Sequence, residues 1–200
     1  MPYYEKGGRR ILFVHIPKTG GTSVEEFLKK NHWKEYKRKP PGIYNMHSTP
    51  DIWENWGNFE YIFTVVREPI ERLESEFGGW LVNEHQNLLL SMMNGHTVRT
   101  DFLKQIFNEN KIHPEKFYSK YGNHIRPQVD FITKDVDIYY FPEGLKKLRQ
   151  KLIENFDCNK NISLPHHKKG VFKPVFNEEQ IILIKEYYKK DYETFFKEQK

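Results

Sequence analysis

An α/β domain, built on a mainly parallel central sheet flanked by helices, is the fold class this sequence predicts. Three observations predict it. Two apolar runs of strand length, "ILFVHI" (Ile11 to Ile16) and "YIFTVV" (Tyr61 to Val66), each lead through a short turn into a segment with helical spacing. A third β-rich run, "DVDIYYF", is followed by the amphipathic "PEGLKKLRQKLIENF". Strands that alternate with helices need crossovers, and a crossover leaves successive strands parallel.

Each element has its own warrant. "ILFVHI" is nearly continuous in apolar residues, as expected of a strand covered on both faces. Behind it Val24, Phe27 and Leu28 recur at helical spacing, with Thr22 or Ser23 available as the N-cap. "YIFTVV" stops at Arg67, and Pro69 falls where the first turn of a helix tolerates proline. Ile70, Leu73, Phe77 and Trp80 would form that helix's buried stripe. "VRTDFLKQIFNE" reads as a helix, and Leu145, Leu148, Leu152 and Phe156 mark the inner face of another. Asn177 and Gln180 have capping-box spacing and open a last helix striped by Ile181, Ile184, Tyr188, Tyr192 and Phe195. Residues 31 to 57 and 108 to 130 show no clear period and are expected to be functional loops. No repeat or linker divides the chain, so a single domain over residues 1–200 is expected.

Composition narrows the function classes. Charged residues make up 30% of the chain and hydrophobic ones 38%, the balance of a soluble globular protein. The single cysteine, Cys158, excludes an internal disulfide and a multi-cysteine zinc site, and is expected to be a partly buried structural thiol. The opening residues lack the order of a signal peptide, and no apolar run approaches the ~20 residues of a membrane helix. A soluble, cytoplasmic protein without a membrane partner is therefore expected. The formal charge of +5 suits an anionic cofactor or substrate but is too scattered for nucleic acid.

The stretch "HIPKTGGTSVEEFL" (residues 15 to 28) carries the most specific chemistry. A loop that leaves a buried strand and opens a helix aims backbone N–H groups at one spot, where the helix dipole also favours an anion. Gly20 and Gly21 let the backbone curl closely, Thr22 and Ser23 add hydroxyls, and Lys18 adds a full charge. A nucleotide-hydrolysing loop has its lysine after the second glycine. Here Lys18 precedes both glycines, and Arg67 stands at the end of the next strand where a Mg²⁺-binding carboxylate would be expected. No metal is expected.

These residues resemble a known family. "FVHIPKTGGTSVEEFL" is similar to the 5′-phosphosulfate loop of carbohydrate sulfotransferases of the sulfotransferase-2 type, whose pattern is close to P-K-x-G-G-T-[ST]. "FTVVREPIERLESEF" resembles the same family's 3′-phosphate motif, an arginine ending a strand and a serine eight residues on, here Arg67 and Ser75. Ser75 lies about 140° around its helix from Ile70, off the apolar stripe. "NHIRPQVDFI" resembles the family's H-x-x-P-Q segment, "DIYYFPEGLKKL" the strand-to-helix segment that follows, and "LPHHKKG" its basic loop. Pro142 interrupts the phenylalanine–glutamate pair usual in the second of these.

The resemblance implies a P-loop-like sulfotransferase fold and transfer of a sulfuryl group from 3′-phosphoadenosine 5′-phosphosulfate (PAPS) to an acceptor hydroxyl, with the 3′,5′-bisphosphate (PAP) as product. It implies a saccharide or polysaccharide acceptor. Lys18, Thr19, Gly20, Gly21, Thr22 and Ser23 would hold the 5′ side of the donor, and Arg67, Ser75, Lys168, Lys169 and Gly170 its 3′-phosphate side. Lys18 would also stabilise charge on the bridging oxygen. His124, Arg126 and Gln128 would face the acceptor. A hydroxyl acceptor needs a base, and imidazole titrates in the right range. His47, in "YNMHSTPDIW", is the first choice and His124 the second. His15, on the strand itself, is expected to be packed or bonded structurally. His166 and His167 do not make a metal pair and are expected to form an electropositive edge with Lys168 and Lys169.

Two other classes remain open on sequence. A nucleotide-dependent phosphotransferase on a similar loop would respond to ATP–Mg²⁺ more than to the sulfate donor. A catalytically silent nucleotide- or glycan-binding protein would bind the donor and yield no product.

Overall fold

The computed structural model describes residues 2–37, 49, 57–80, 93–94, 97–112, 123–133, 135–165 and 173–197. The chain is α/β and divides into two compact units, Met1–Arg67 with Asp130–His167, and Glu68–Val129 with Lys168–Lys200.

The first unit is built on a five-stranded sheet. Its strands are β1 (Pro2–Lys6), β2 (Arg9–Val14), β3 (Lys34–Lys37), β4 (Tyr61–Val66) and, later in the chain, β7 (Asp137–Tyr140), in the order β3-β1-β2-β4-β7. The central pairings β2–β4 and β4–β7 are parallel, whereas β1 is antiparallel to both β2 and β3. Ile11, Leu12, Phe13 and Val14 have no exposure at all, which is why β2 reads as an unbroken apolar run. The run "ILFVHI" itself extends two residues beyond the strand, because His15 and Ile16 already belong to the turn.

Among the described residues, the helices of this unit are α1 (Gly21–Lys30) and α4 (Gly144–Asn155). Val24, Phe27 and Leu28 of α1 and Leu148 and Leu152 of α4 share one core with Phe13, Phe63 and Val65 of the sheet. Phe13 pairs in register with Phe63, their rings stacked at 5.2 Å, and the stack continues through Tyr61 to Phe156. Each such ring contributes about 1.5–3 kcal/mol by leaving water. Cys158 lies in the same core, and burial pushes its thiol pKa up, as a structural thiol requires.

The second unit contains α2 (Pro69–Trp80), the short pair β5 (Met93–Asn94) and β6 (Thr97–Val98), α3 (Thr100–Ile112), α5 (Glu178–Tyr187) and α6 (Lys189–Phe195). Pro69 opens α2, as the missing N–H of proline permits. Leu73 and Phe77 of α2 meet Leu103, Ile106 and Phe107 of α3 and Ile184 and Tyr188 of the C-terminal helices. The Asn177–Gln180 capping box forms as the spacing predicts. What the sequence presents as one last helix is two, broken at Tyr188, with Ile184, Tyr188 and Phe195 still on the buried side. A 3₁₀ turn, Gln128–Phe131, begins at the end of the stretch that showed no period, its last two residues belonging to the first unit. No helix among the described residues is long and apolar enough to cross a membrane.

Candidate functional site

The turn between β2 and α1 is shaped by two glycines with different duties. Gly20 is the N-cap of α1 and adopts a left-handed backbone, φ 91°. Neither Thr22 nor Ser23 caps the helix. The cap falls earlier because α1 already begins at Gly21, so both hydroxyl residues lie within its first turn. Gly21 is needed for space: a Cβ there would stand 2.1 Å from Nε2 of His15. Lys18 also has a left-handed backbone, φ 67°, uncommon for a residue with a side chain.

Hydrogen bonds hold this turn from within. Thr19 is fully buried and its hydroxyl donates to the Ile16 carbonyl at 2.9 Å. Ser23 N–H donates to the Gly20 carbonyl at 3.0 Å. The first turn of α1 holds no acidic residue, while Lys29 and Lys30 stand in its last turn. Apart from such bonds to the N-cap carbonyl, the first N–H groups of a helix lack an acceptor within it, and a helix N-terminus favours negative charge. An oxyanion suits this cradle.

Arg67, just past the end of β4, is half-buried and fixed on two sides. Its Nη1 donates to the Lys18 carbonyl at 3.4 Å, and its guanidinium lies 4.7 Å from the centre of the Phe141 ring. The same ring faces Gly20, where an added Cβ would come within 3.1 Å of it. Lys18, Gly20 and Arg67 thus share contacts in the first unit, with Phe141 as a platform that the sequence reading did not single out. Within the second unit, Ser75 is half-buried on α2, beside the wholly buried Glu76. His47, His166, His167, Lys168, Lys169 and Gly170 lie outside the described residues.

His124, Arg126 and Gln128 belong to a segment pinned by buried polar groups of the second unit. Arg72, 1% exposed, donates to the carbonyls of His124 and Arg126 at 2.8 and 2.9 Å. Tyr188 donates its hydroxyl to the Ile125 carbonyl at 2.6 Å. The Asp191 carboxylate accepts from the N–H groups of Gln128 and Val129 at 2.9 and 3.0 Å. Burial raises the pKa of Asp191 even so. Gln128 is fully buried, its side-chain amide also turned to Asp191 at 3.3 Å.

His124 itself is half-buried. Its Nδ1–H donates to Oε2 of Glu76 at 2.8 Å. A carboxylate on Nδ1 sets the tautomer and ring orientation. Nothing in the sequence singles out Glu76, although it follows Ser75 directly; its contact became visible only with the distant His124 beside it. His15 is bonded as expected, its Nδ1–H donating to Oε1 of Glu25 at 2.7 Å, both residues buried.

Comparison with known proteins places the chain in a family. The family model described as the sulfotransferase family matches residues 3–197. No curated protein and no solved structure matches the sequence. The match runs across both units and includes "HIPKTGGTS" and "VVREPIERLES". On that match, the chain belongs to the sulfotransferase family.

Proposed function

We propose that the chain transfers a sulfuryl group from PAPS to a hydroxyl of a saccharide or polysaccharide. The observation that carries this reading is the turn itself: a lysine ahead of two glycines, opening a helix whose first turn bears no carboxylate. The saccharide acceptor rests on the resemblance of the motifs. When bound, the donor supplies an activated sulfuryl group on a 5′-phosphate.

The chain's residues then have three tasks. The first-turn amides of α1, with Thr19, Thr22 and Ser23 shaping the turn, hold the 5′ side. Arg67 and Ser75, together with Lys168, Lys169 and Gly170, take the 3′-phosphate. Lys18 neutralises charge that grows on the bridging oxygen as its bond to sulfur breaks. A histidine takes the acceptor's proton as the new oxygen–sulfur bond forms. His47 holds that role by its sequence context; His124 gains support from the Glu76 carboxylate on its Nδ1. Arg126 and His124 serve the acceptor side, and Gln128 shapes their segment from within.

Transfer of labelled sulfate from PAPS onto a panel of glycans, tyrosyl peptides and small alcohols tests the reading. Product on a glycan is expected. PAP at 100 times its Kd should add about 2.7 kcal/mol of stability, and AMP much less. Equal shifts from the two nucleotides would remove Arg67 and Ser75 from the 3′ side. Stabilisation by ATP–Mg²⁺ but not by PAP would favour a phosphotransferase. Lys18→Ala should lose turnover more than affinity, and Arg67→Ala affinity more than turnover. His47→Ala and His124→Ala rank the two bases: the true one loses roughly 10²–10⁴-fold in turnover with PAP binding intact.

A further inference from the structure

His15 and Glu25 make a buried polar contact in the first unit, His15 5% exposed and Glu25 8%. The charge of Glu25, with that of Glu35, also bears on the buried Tyr4 hydroxyl and helps to raise its pKa, after burial itself. The His15 ring stacks on Phe13 with centroids 5.3 Å apart. Nδ1–H donates to Oε1 of Glu25 at 2.7 Å. The opposite edge of the ring faces Gly21, where an added Cβ would lie 2.1 Å from Nε2 and 2.3 Å from Cδ2.

Gly21 and Glu25 are four residues apart, hence on one face of α1, a single turn from each other. One imidazole therefore touches the helix twice, at its first residue and one turn on. Its backbone is the residue that follows β2. Stability alone does not call for this arrangement. A buried polar pair is matched or exceeded by well-packed apolar residues of similar volume. An apolar pair, however, fixes no direction. A hydrogen bond at one end of a ring and close packing at the other set both the height and the rotation of α1's first turn against β2.

We propose that His15 and Glu25 are positioning residues of the anion-binding turn: their bond, braced against Gly21, holds the Gly21–Ser23 amides in the geometry that receives the donor's 5′ side. This rests on the sulfotransferase reading above. The glycine then has a second meaning. It makes room for a brace as well as for a ligand.

Four variants test the bond without emptying the core. His15→Asn keeps a donor where Nδ1 stood, and His15→Leu keeps bulk without one. Glu25→Gln keeps an acceptor oxygen, and Glu25→Leu removes it. PAP affinity, the split of turnover into kcat and KM, melting temperature, and amide hydrogen exchange at residues 21–23 of the ligand-free protein are measured for each. Each single leucine variant leaves its partner buried and unpaired and should melt lower than wild type. A fifth variant, His15→Leu with Glu25→Leu, removes both partners and should melt near the wild-type temperature, yet exchange faster at the turn and bind PAP about 10- to 100-fold more weakly, the range expected for a site displaced by about an ångström. The Asn and Gln variants should recover most of the loss. Wild-type exchange and affinity in the double leucine variant would overturn the proposal, and so would losses across the five variants that follow melting temperature alone.

Should the leucine variants fail to fold, Gly21→Ala with His15→Ala decides. The double substitution removes the collision. Folding restored without PAP binding supports the brace, and both restored together overturns it. A wild-type protein that does not bind PAP would refute the donor reading, while the exchange rates, which need no ligand, would still judge the brace.

Discussion

Arg67 is held by two unlike partners, the Lys18 carbonyl and the face of Phe141. The ring contributes electrostatic attraction and keeps water from one side of the guanidinium. Phe141→Leu keeps most of the bulk and removes the π face. It should weaken PAP binding by about 1 kcal/mol, roughly fivefold in Kd, as read by titration calorimetry, with little change in kcat. An unchanged Kd would show that the ring only fills space. Lys18, the glycines and Arg67 were legible in sequence because the spacing of a turn is local. Phe141, Glu25 and Glu76 were not, since each meets a partner ten or more places away, and a lone Phe or Glu has no period to betray it. His15 was read as structurally bonded, and its partner emerged only when α1 folded back on β2.

Among the elements, α5 shows how well local chemistry can be read. Asn177 and Gln180 cap each other at 3.0 Å in both directions, as their spacing alone indicated. Gln180 does more than cap: its amide also donates to the Val98 carbonyl and to the Thr100 hydroxyl, joining the starts of α5 and α3. Asn177→Ala should therefore cost about 1 kcal/mol, or roughly 2–4 °C in Tm, and Gln180→Leu should cost more. Equal losses would mean that the bonds to Val98 and Thr100 add nothing. The α1 start was misjudged for a physical reason. Threonine and serine are good caps by propensity, but Gly20 alone tolerates the left-handed turn at this point without strain. The break at Tyr188 was hidden because the apolar stripe continues through it.

At the scale of the whole chain, Asp191 adds its own pH dependence to stability. Burial holds its carboxyl above the usual carboxylate range, so the folded protein keeps a proton there that the unfolded chain has already released. Stability from this group is therefore fullest below the ordinary Asp pKa of about 4 and is lost as pH rises through the raised value. Asp191→Asn cannot titrate, so the pH dependence of Tm should differ between the two proteins over that window and run parallel above it. Parallel curves throughout would deny the shift. The variant should also be less stable at neutral pH, because an amide offers its NH₂ where a backbone N–H needs an acceptor, at about 1–3 kcal/mol.

The sheet of the first unit begins at β3, whose four residues read Lys-Glu-Tyr-Lys, with Lys34 set over the Tyr36 ring. A terminal strand offers an unfilled row of hydrogen-bonding groups to any passing chain, and lysine is a common guard against such pairing. Among the described residues β3 ends the sheet, and the charge of Lys34, which helped to hide the strand from a search for alternating apolar residues, is of the kind that discourages such pairing. Colloidal behaviour, and not catalysis, is what it governs. Lys34→Val should leave PAP affinity and turnover alone yet bring on light scattering at lower temperature and concentration than in the parent protein. A variant that stays as clear as the parent on heating would show that another feature guards the edge.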